Sequence, residues 1–493
     1  MRNCLVAPFV LVLLSLTVAA QHPAPLPNAP RPQAPSSSTA QKAASAAEAV
    51  KPTTRDYTQE SFVIEQMHSR YRFESDGTGR KETIARIRVQ SEAGVQQWGQ
   101  LLEGYNSANE RVEIPYVRVL KEDGSVVKAS DSDVQDLTAP VEREAPVYTD
   151  YRQKHITVPG LRPGEVLEYD MVTVIHTPLA AGQFWTEYEF DKTNIDLDET
   201  VDVDIPANRT IKLKCKPGMD PKITEEKGRR IYHWSSSHLE REDDKDKDKK
   251  KKRQHPEDDR PDVQLTTFET WEQIGRWYAS LEKDRRMPSP EVRAKADELT
   301  KGLDTDLAKT EALYDYVAKN FRYVSLSLGL ARYQPHAAAD VLHDQYGDCK
   351  DKHTLLASLL QAEGLHADSV LINSSRKLDP DIPSPSQFDH VITMLPMGNG
   401  IAKQEVWMDT TSEVAPFRLL AYTLRNKQAL VIPPADPPSM VAPHLENTPA
   451  GTPMPDTEAS EITGKINDIG KLEAHVHYEF RGDEELLDRK SVV

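Results

Sequence analysis

A cysteine at position 349 stands in the run Tyr346-Gly347-Asp348-Cys349-Lys350-Asp351-Lys352, just ahead of the apolar stretch Leu355 to Leu360. That context puts a thiol at the start of a helix. Unpaired backbone N–H groups and the positive end of the helix dipole favour the nucleophilic thiolate there. Gly347 lets the backbone turn tightly and leaves room for a substrate. A nucleophilic thiol also needs a base to move protons, and a third group to hold that base in one tautomer. His390 opens the apolar run HVITML, and Asp409 closes VWMD further on. Two neighbouring strands would present both side chains together. Asp389 is a rival partner for the imidazole, but successive strand residues point to opposite faces, which favours Asp409. In this arrangement Cys349 attacks an amide or ester carbonyl, His390 protonates the leaving group, and Asp409 orients and stabilises the imidazolium. The acyl group then passes to water or an amine. The Cys349 backbone N–H is a natural oxyanion donor, and Gln345 or Gln334 is the candidate for a second.

Each residue also has an ordinary explanation. Cys349 alone reads as a core thiol, His390 as a half-buried strand histidine, and Asp409, followed by Thr410-Thr411, as a turn cap. The ordered combination is what points to catalysis. His353 stands four residues after Cys349 on the same helix, but too few further ligands cluster nearby for structural zinc. No metal or cofactor is expected.

Several elements must position these groups. The pattern predicts a helix over 349–362 ended by Gly364, and strands over 367–372, 390–395 and 405–409. Upstream, Trp271, Ile274, Tyr278 and Leu281 fall near helical spacing. Ser289-Pro290 makes an N-cap followed by an N1 proline, and Leu307, Tyr314, Val317 and Phe321 mark another helix, with a strand over 322–328 behind it. Before this the chain reads as β structure: Ala85, Ile87 and Val89 alternate with Arg86 and Arg88. Further strands fall at 116–120, 125–128, 166–175 and 201–205, with turn chemistry at Asp123-Gly124 and Pro163-Gly164. An antiparallel sandwich or barrel-like domain is expected. Trp185, Tyr188 and Phe190 fit core packing better than a binding patch.

A chain of 493 residues exceeds what one hydrophobic core organises, so several domains are expected. Residues 1–20 have the basic start, apolar middle and small-residue end of a cleavable secretory signal, too short to span a bilayer. Residues 21–55, with seven prolines, read as a disordered linker. The β-rich domain then covers 56–239. Residues 240–262 are a charged low-complexity insertion: 240–260 carry nine acidic and nine basic side chains, so the run is electrically balanced. An α+β domain follows over 263–432, a Pro-rich linker over 433–457, and a β hairpin over 458–493, read either as an addition to an earlier sheet or as the start of a C-terminal β domain. In that hairpin Leu472, Ala474, Val476, Tyr478 and Phe480 alternate with polar residues, as in a half-buried strand.

The net charge of −17 argues against nucleic acid or anionic membrane as a partner, since phosphate neutralisation needs a basic surface. Past the signal only Cys215 and Cys349 remain. A buried strand thiol plus a working thiol is the preferred reading over a Cys215–Cys349 disulfide.

The stretch YQPHAAADVLHDQYGDCKDKHTLLASLLQAEG, with FDHVITML and VWMDTT after it, closely resembles the transglutaminase-like superfamily, whose core has a Cys-helix, His-strand, Asp-strand order. The resemblance spans about Trp271 to Thr411. The region from Tyr57 to about Leu239 resembles the bacterial domain of unknown function 3857, commonly joined to such a core in exported proteins. Together they imply a papain-like α+β fold with Cys349 as nucleophile, His390 as base and acid, and Asp409 as orienter. Animal transglutaminases have a tryptophan after the cysteine and bind calcium; here Lys350 follows, and no acidic calcium loop is evident. The expectation is a secreted or periplasmic cysteine enzyme acting on amide bonds of peptide, protein or cell-wall material. The alternative is a catalytically inactive transglutaminase-like binding or assembly module of the cell envelope. Oligomeric state is not legible in the residues.

Overall fold

In the computed structural model, which describes residues 56–138, 150–240, 260–324, 332–398, 404–436 and 439–486, the N-terminal region is mostly strands. The expected signal (1–20), the linker (21–55) and most of the charged insertion (241–259) lie outside the described residues. The strands are β1 Phe62–Phe73, β2 Gly79–Val89, β3 Gln100–Asn106, β4 Glu110–Leu120, β5 Val126–Lys128, β6 Val134–Thr138, β7 Tyr151–Thr157 and β8 Val166–Ile175. They continue as β9 Trp185–Tyr188, β10 Asp196–Pro206, β11 Lys212–Cys215, β12 Lys222–Glu226, β13 Arg229–His238 and β14 Val263–Thr266, with one short helix, α1, at Glu92–Trp98.

Alternation fixes the two faces of the large sheet, whose order is β12-β13-β10-β1-β2-β8-β4-β5. Ala85, Ile87 and Val89 are buried. On the other face Arg86 and Arg88 each donate to Glu65 at 2.7 Å, and Arg118 donates to Glu168 at 2.7 Å, giving a ladder of opposite charges across strands. The sheet is not wholly antiparallel as expected, because β1 and β10 pair in parallel. Nor is it a closed barrel. Two small sheets cover its buried face: β3-β7-β6 packs over one half through Leu101 and Ile156, and β11-β14-β9 over the other through Val263 and Leu265, with Phe190 just past β9 in the same cluster. Phe190 is therefore core, as its spacing suggested. Cys215 sits in β11 only half-buried, and both it and Cys349 are free thiols.

Strand β14 lies past the charged insertion yet pairs with β11 and β9, so the chain returns to the β region before the helices begin. Those helices are α2 Trp271–Glu282, α3 Pro290–Thr300, α4 Asp306–Asn320, α5 Ala338–Asp344 and α6 Cys349–Ala362. Ser289 caps α3 by accepting from the Val292 N–H, with Pro290 at the first helical position. Residues 349–360 of α6 are all buried: α3, α4 and α5 pack on one side and a five-stranded sheet on the other. That antiparallel sheet has strands β17 Asp368–Ile372, β18 His390–Met397, β19 Gln404–Met408, β20 Gln428–Ile432 and β21 His444–Asn447, in the order β19-β18-β17-β20-β21. A short parallel pair, β15 Arg322–Tyr323 with β16 Tyr346–Gly347, leads into α6. The expected strand over 322–328 is thus only two residues long where described, and 325–331 lie outside the described residues.

Two expectations about the C-terminal part are corrected. The Pro-rich stretch is not only a linker, since it supplies β21, which pairs with β20 between its prolines. The final hairpin, β22 Thr457–Ile466 with β23 Leu472–Arg481, forms a sheet of its own, and Leu472, Val476 and Tyr478 are exposed instead of half-buried. No third strand covers its apolar side among the described residues. None of the described helices is long and apolar enough to cross a membrane.

The β region and the α+β region share a contact face. Trp185 of β9 packs edge-on against Trp277 and Tyr333. Arg376 pairs with Glu187 at 3.0 Å, Arg260 with Asp379 at 2.9 Å, and the Trp277 indole N–H donates to the Leu179 carbonyl at 3.1 Å.

Candidate active site

Asp348 starts α6. Its Oδ1 accepts from the backbone N–H groups of Lys350 and Asp351, while the Asp351 carboxylate accepts from the Asp348 N–H, a reciprocal capping box. The N–H of Cys349, at the first helical position, is left without an acceptor among the described residues. Gly347 has a different task from the expected one. A Cβ there would stand 2.6 Å from Asp351 Cβ, so the missing side chain makes room for the cap and not for a substrate.

Charged residues in a buried helix need partners. Lys350 pairs with Asp348. Lys352 Nζ donates to the carbonyl of Phe321 at 2.6 Å, at the C-terminal end of α4 where helix carbonyls lack partners. His353 Nδ1 lies 2.7 Å from Thr393 Oγ1 and its Nε2 lies 2.8 Å from Ser369 Oγ. Ser369 itself donates to Glu282 at 2.6 Å, so the serine oxygen is free only to accept. His353 is thereby fixed as the neutral Nε2–H tautomer. Both ring nitrogens are committed, which removes it as a metal ligand beside Cys349.

On the sheet side, β18 and β19 are antiparallel with Thr393 opposite Met408. The start of β18 therefore lies beside the end of β19, and His390 Nε2 comes 3.1 Å from Asp409 Oδ2. The other oxygen, Oδ1, accepts from the Thr411 backbone N–H at 2.9 Å and the Thr411 hydroxyl at 2.7 Å. Asp389 is turned elsewhere and accepts from Ser374 at 2.7 and 2.9 Å. Burial of His390 disfavours its proton, but the Asp409 charge and hydrogen bond, followed by a hydrogen bond with Cys349, hold its pKa well above the ordinary value. Burial pushes Asp409 up, and the His390 charge more than reverses this. With Nε2 on Asp409, Nδ1 is the nitrogen left for the thiol.

Cys349 and His390 line one cavity of about 200 Å³, walled by Tyr278, Tyr333 and Phe388 with Lys350 at its base. Neither glutamine lines it. Gln345 is exposed and ends α5 in the left-handed conformation, φ 60°, where it closes the preceding helix. Gln334 is half-buried outside the cavity. The walls are what sequence reasoning missed. Tyr278 reads as one more apolar residue on the buried face of α2; its signal was a hydroxyl where phenylalanine would pack. That hydroxyl is buried with no partner in good hydrogen-bond geometry among the described residues, and burial followed by the nearby Glu282 carboxylate raises its pKa. Tyr333 belongs to a loop latched onto α6 through His336, whose backbone N–H donates to Asp351 Oδ1 at 2.8 Å and whose Nδ1 lies 3.1 Å from Asp351 Oδ2. The Asp351 hydrogen bond raises the His336 pKa against the effect of burial.

Comparison with known proteins follows the same division of the chain. Residues 75–242 match the family model described as Domain of Unknown Function with solved-structure structure (DUF3857), and residues 293–410 match the Transglutaminase-like superfamily. Cys349, His390 and Asp409 all fall within the second match. A solved structure from Parabacteroides distasonis ATCC 8503, named a "putative protease", is 14% identical, covers 79% of this chain and 72% of that one, and superposes with a TM-score of 0.62. The two share a fold. A "putative cysteine protease" from Cytophaga hutchinsonii (12% identity, 61% of this chain and 84% of that one, TM-score 0.24) also matches. So does an M1 zinc metallopeptidase from Deinococcus radiodurans (13%, 36% and 39%, TM-score 0.22). Overlaps at those two scores carry no argument. No curated protein matches the chain.

Proposed function

We propose that this chain is an exported, papain-like cysteine enzyme that cleaves or transfers amide-linked acyl groups of peptide, protein or cell-wall material. One observation carries the reading: a cysteine at the start of a buried helix shares a cavity with an imidazole whose far nitrogen lies 3.1 Å from a buried carboxylate. In the proposed cycle the Cys349 thiol gives its proton to His390 Nδ1 as its sulfur bonds to the substrate carbonyl carbon, and the carbonyl π electrons move onto oxygen. The Cys349 N–H faces the resulting oxyanion, with the hydroxyl of Tyr278, a residue of the cavity wall, as the second donor in place of a glutamine. When the tetrahedral adduct collapses, the C–N bond breaks and imidazolium Nδ1–H protonates the departing amine, leaving a thioester. Water or an amine then attacks the thioester while His390 takes its proton, and sulfur departs. Asp409 keeps Nε2 protonated throughout. Export rests on the signal-like residues 1–20.

The test is incubation of the full chain and of Cys349→Ala with a peptide library and a tagged primary amine, read by mass. Shortened peptides mean proteolysis, a gain of one mass unit at glutamine means deamidation, and tag incorporation means transamidation. Products identical in the presence of Cys349→Ala, or none from either protein, would leave the binding-module reading in place.

A further inference from the structure

A second cavity, of about 240 Å³, adjoins the candidate active site and shares Arg332 and Tyr333 with it. Its far wall belongs to the β region: Lys81 on β2, Asn109 and Glu110 at the turn into β4, and Phe184 and Trp185. Its charged and polar groups are unevenly satisfied. Glu110 is the one carboxylate among the lining residues, and its Oε2 already accepts from the Asn106 N–H at 3.0 Å. Lys81 makes no ion pair among the described residues; its ammonium lies 5.5 Å from the centre of the Tyr71 ring, and burial lowers its pKa, an effect that the Glu110 charge opposes and the Arg332 charge adds to. Arg332 likewise has no ion pair among them and lies 5.5 Å from the centre of the Tyr333 ring. Asn109 is only 4% exposed, and its side-chain oxygen has no partner among the described residues. Among the lining residues two cations, Lys81 and Arg332, stand against one carboxylate, Glu110, with the half-buried Glu103 near Lys81, in a chain whose net charge is −17. An anion entering it would exchange water for charge-assisted hydrogen bonds at both cations, and a neighbouring amide N–H would find an acceptor in Asn109.

We infer that this cavity is a substrate subsite of the same cleft, contributed by the β region, which takes a carboxylate-bearing part of a peptide: an acidic side chain or a free C-terminus near the reacting amide. The inference rests on the proposed function for what happens at Cys349, but recognition is separable from reaction. It also gives the β region a task, because that region supplies Lys81, Asn109 and Glu110 while the catalytic half supplies Arg332. Aromatic walls on both sides suit a peptide backbone threading between the two cavities.

The experiment measures binding in the absence of turnover. Full-length Cys349→Ala is titrated, by fluorescence anisotropy, with four fluorescein-labelled hexapeptides of otherwise equal sequence. One carries an internal Glu and a C-terminal amide, one a Gln and a free carboxylate, one a Gln and an amide, and one a Lys and an amide. At least one carboxylate peptide is expected to bind about tenfold more tightly than the Gln amide, and adding Arg332→Gln or Lys81→Met should each cost that peptide about tenfold. Arg332 is exposed, so its substitution does not put folding at risk. Equal affinity for all four peptides, or a carboxylate preference unchanged in both variants, overturns the subsite. Preference without turnover by the parent protein would keep the subsite and remove the catalytic proposal; turnover without preference would do the reverse.

Discussion

Replacing Asp409 by asparagine tests the site at its best-defined contact. The change is nearly isosteric, but it is not neutral to the proton arrangement. Asp409 Oδ1 accepts two hydrogen bonds from Thr411, so the asparagine oxygen will take that position and the NH₂ group will face His390 Nε2. Two donors cannot share that contact. The ring must move its proton to Nδ1 and present Nε2 as an acceptor, the wrong tautomer for accepting a proton from the thiol side. The charge is lost as well. At 3.1 Å and an effective dielectric constant near 20, opposite unit charges attract by about 5 kcal/mol. Losing that charge lowers the His390 pKa, and burial, no longer opposed by the carboxylate, acts in the same direction. The imidazolium that must protonate the leaving amine becomes scarce at neutral pH. We expect kcat on a fluorogenic peptide amide to fall about 10³–10⁴-fold. The His390 resonance, followed by NMR on ¹³C-histidine protein, should stay in its neutral form down to lower pH than in the parent. A rate within tenfold of the parent, or an unchanged His390 titration, would show that this contact does not govern the proton and would refute the reasoning.

Three further outcomes follow from the same geometry. Tyr278→Phe should lower kcat about 100-fold with KM nearly unchanged, the usual cost of losing an oxyanion donor; a change below threefold removes Tyr278 from that role. Asp348→Ala strips the α6 cap and strands the buried Lys350 ammonium, so urea unfolding should show a loss of about 3–5 kcal/mol, and adding Lys350→Met should recover much of it. Burial, and then the Arg286 charge, push His353 down to about 3, so the unfolded chain binds the extra proton between that value and the ordinary one of about 6.5. Its contribution is complete above the upper value and is lost as pH falls through the window. The urea midpoint should therefore drop across that range in the parent, and with a shallower slope in His353→Gln.

The parts of this arrangement that sequence reveals are those with local causes. The limits of α6 follow from Asp348 capping one end and Gly364, at φ +78°, the other. The approach of His390 to Asp409 follows from two short apolar runs close together in sequence, since such strands pair with their neighbours. What local pattern cannot carry is long-range pairing. The parallel match of β1 with β10 joins His68 to Thr200, and neither strand holds a mark of direction. Strand β21 hides among prolines because an edge strand tolerates them. The cavity walls come from α2, from the loop before α5 and from the start of β18, and alone each aromatic there looks like core. Nearness in sequence to Cys349 points to Gln345, but a left-handed residue closing one helix cannot also reach over the next.

The buried polar groups on α6 explain how a helix covered on all sides holds its thiol at the cavity. Leucine packing alone constrains a helix weakly against sliding, because neighbouring apolar residues can exchange places at modest cost. A shift of one residue would turn α6 by about 100° and move it about 1.5 Å along its axis, carrying Cys349 away from His390. Such a shift would also pull Lys352 from the Phe321 carbonyl and His353 from Thr393 and Ser369. Each orphaned buried group costs about 1–3 kcal/mol, more for the ammonium, so these contacts penalise the slipped register far more than leucine packing does. The position of the thiol is thus set by side chains one turn deeper that never touch the cavity, and Glu282 and Ser369 act on Cys349 only through the rotation of α6.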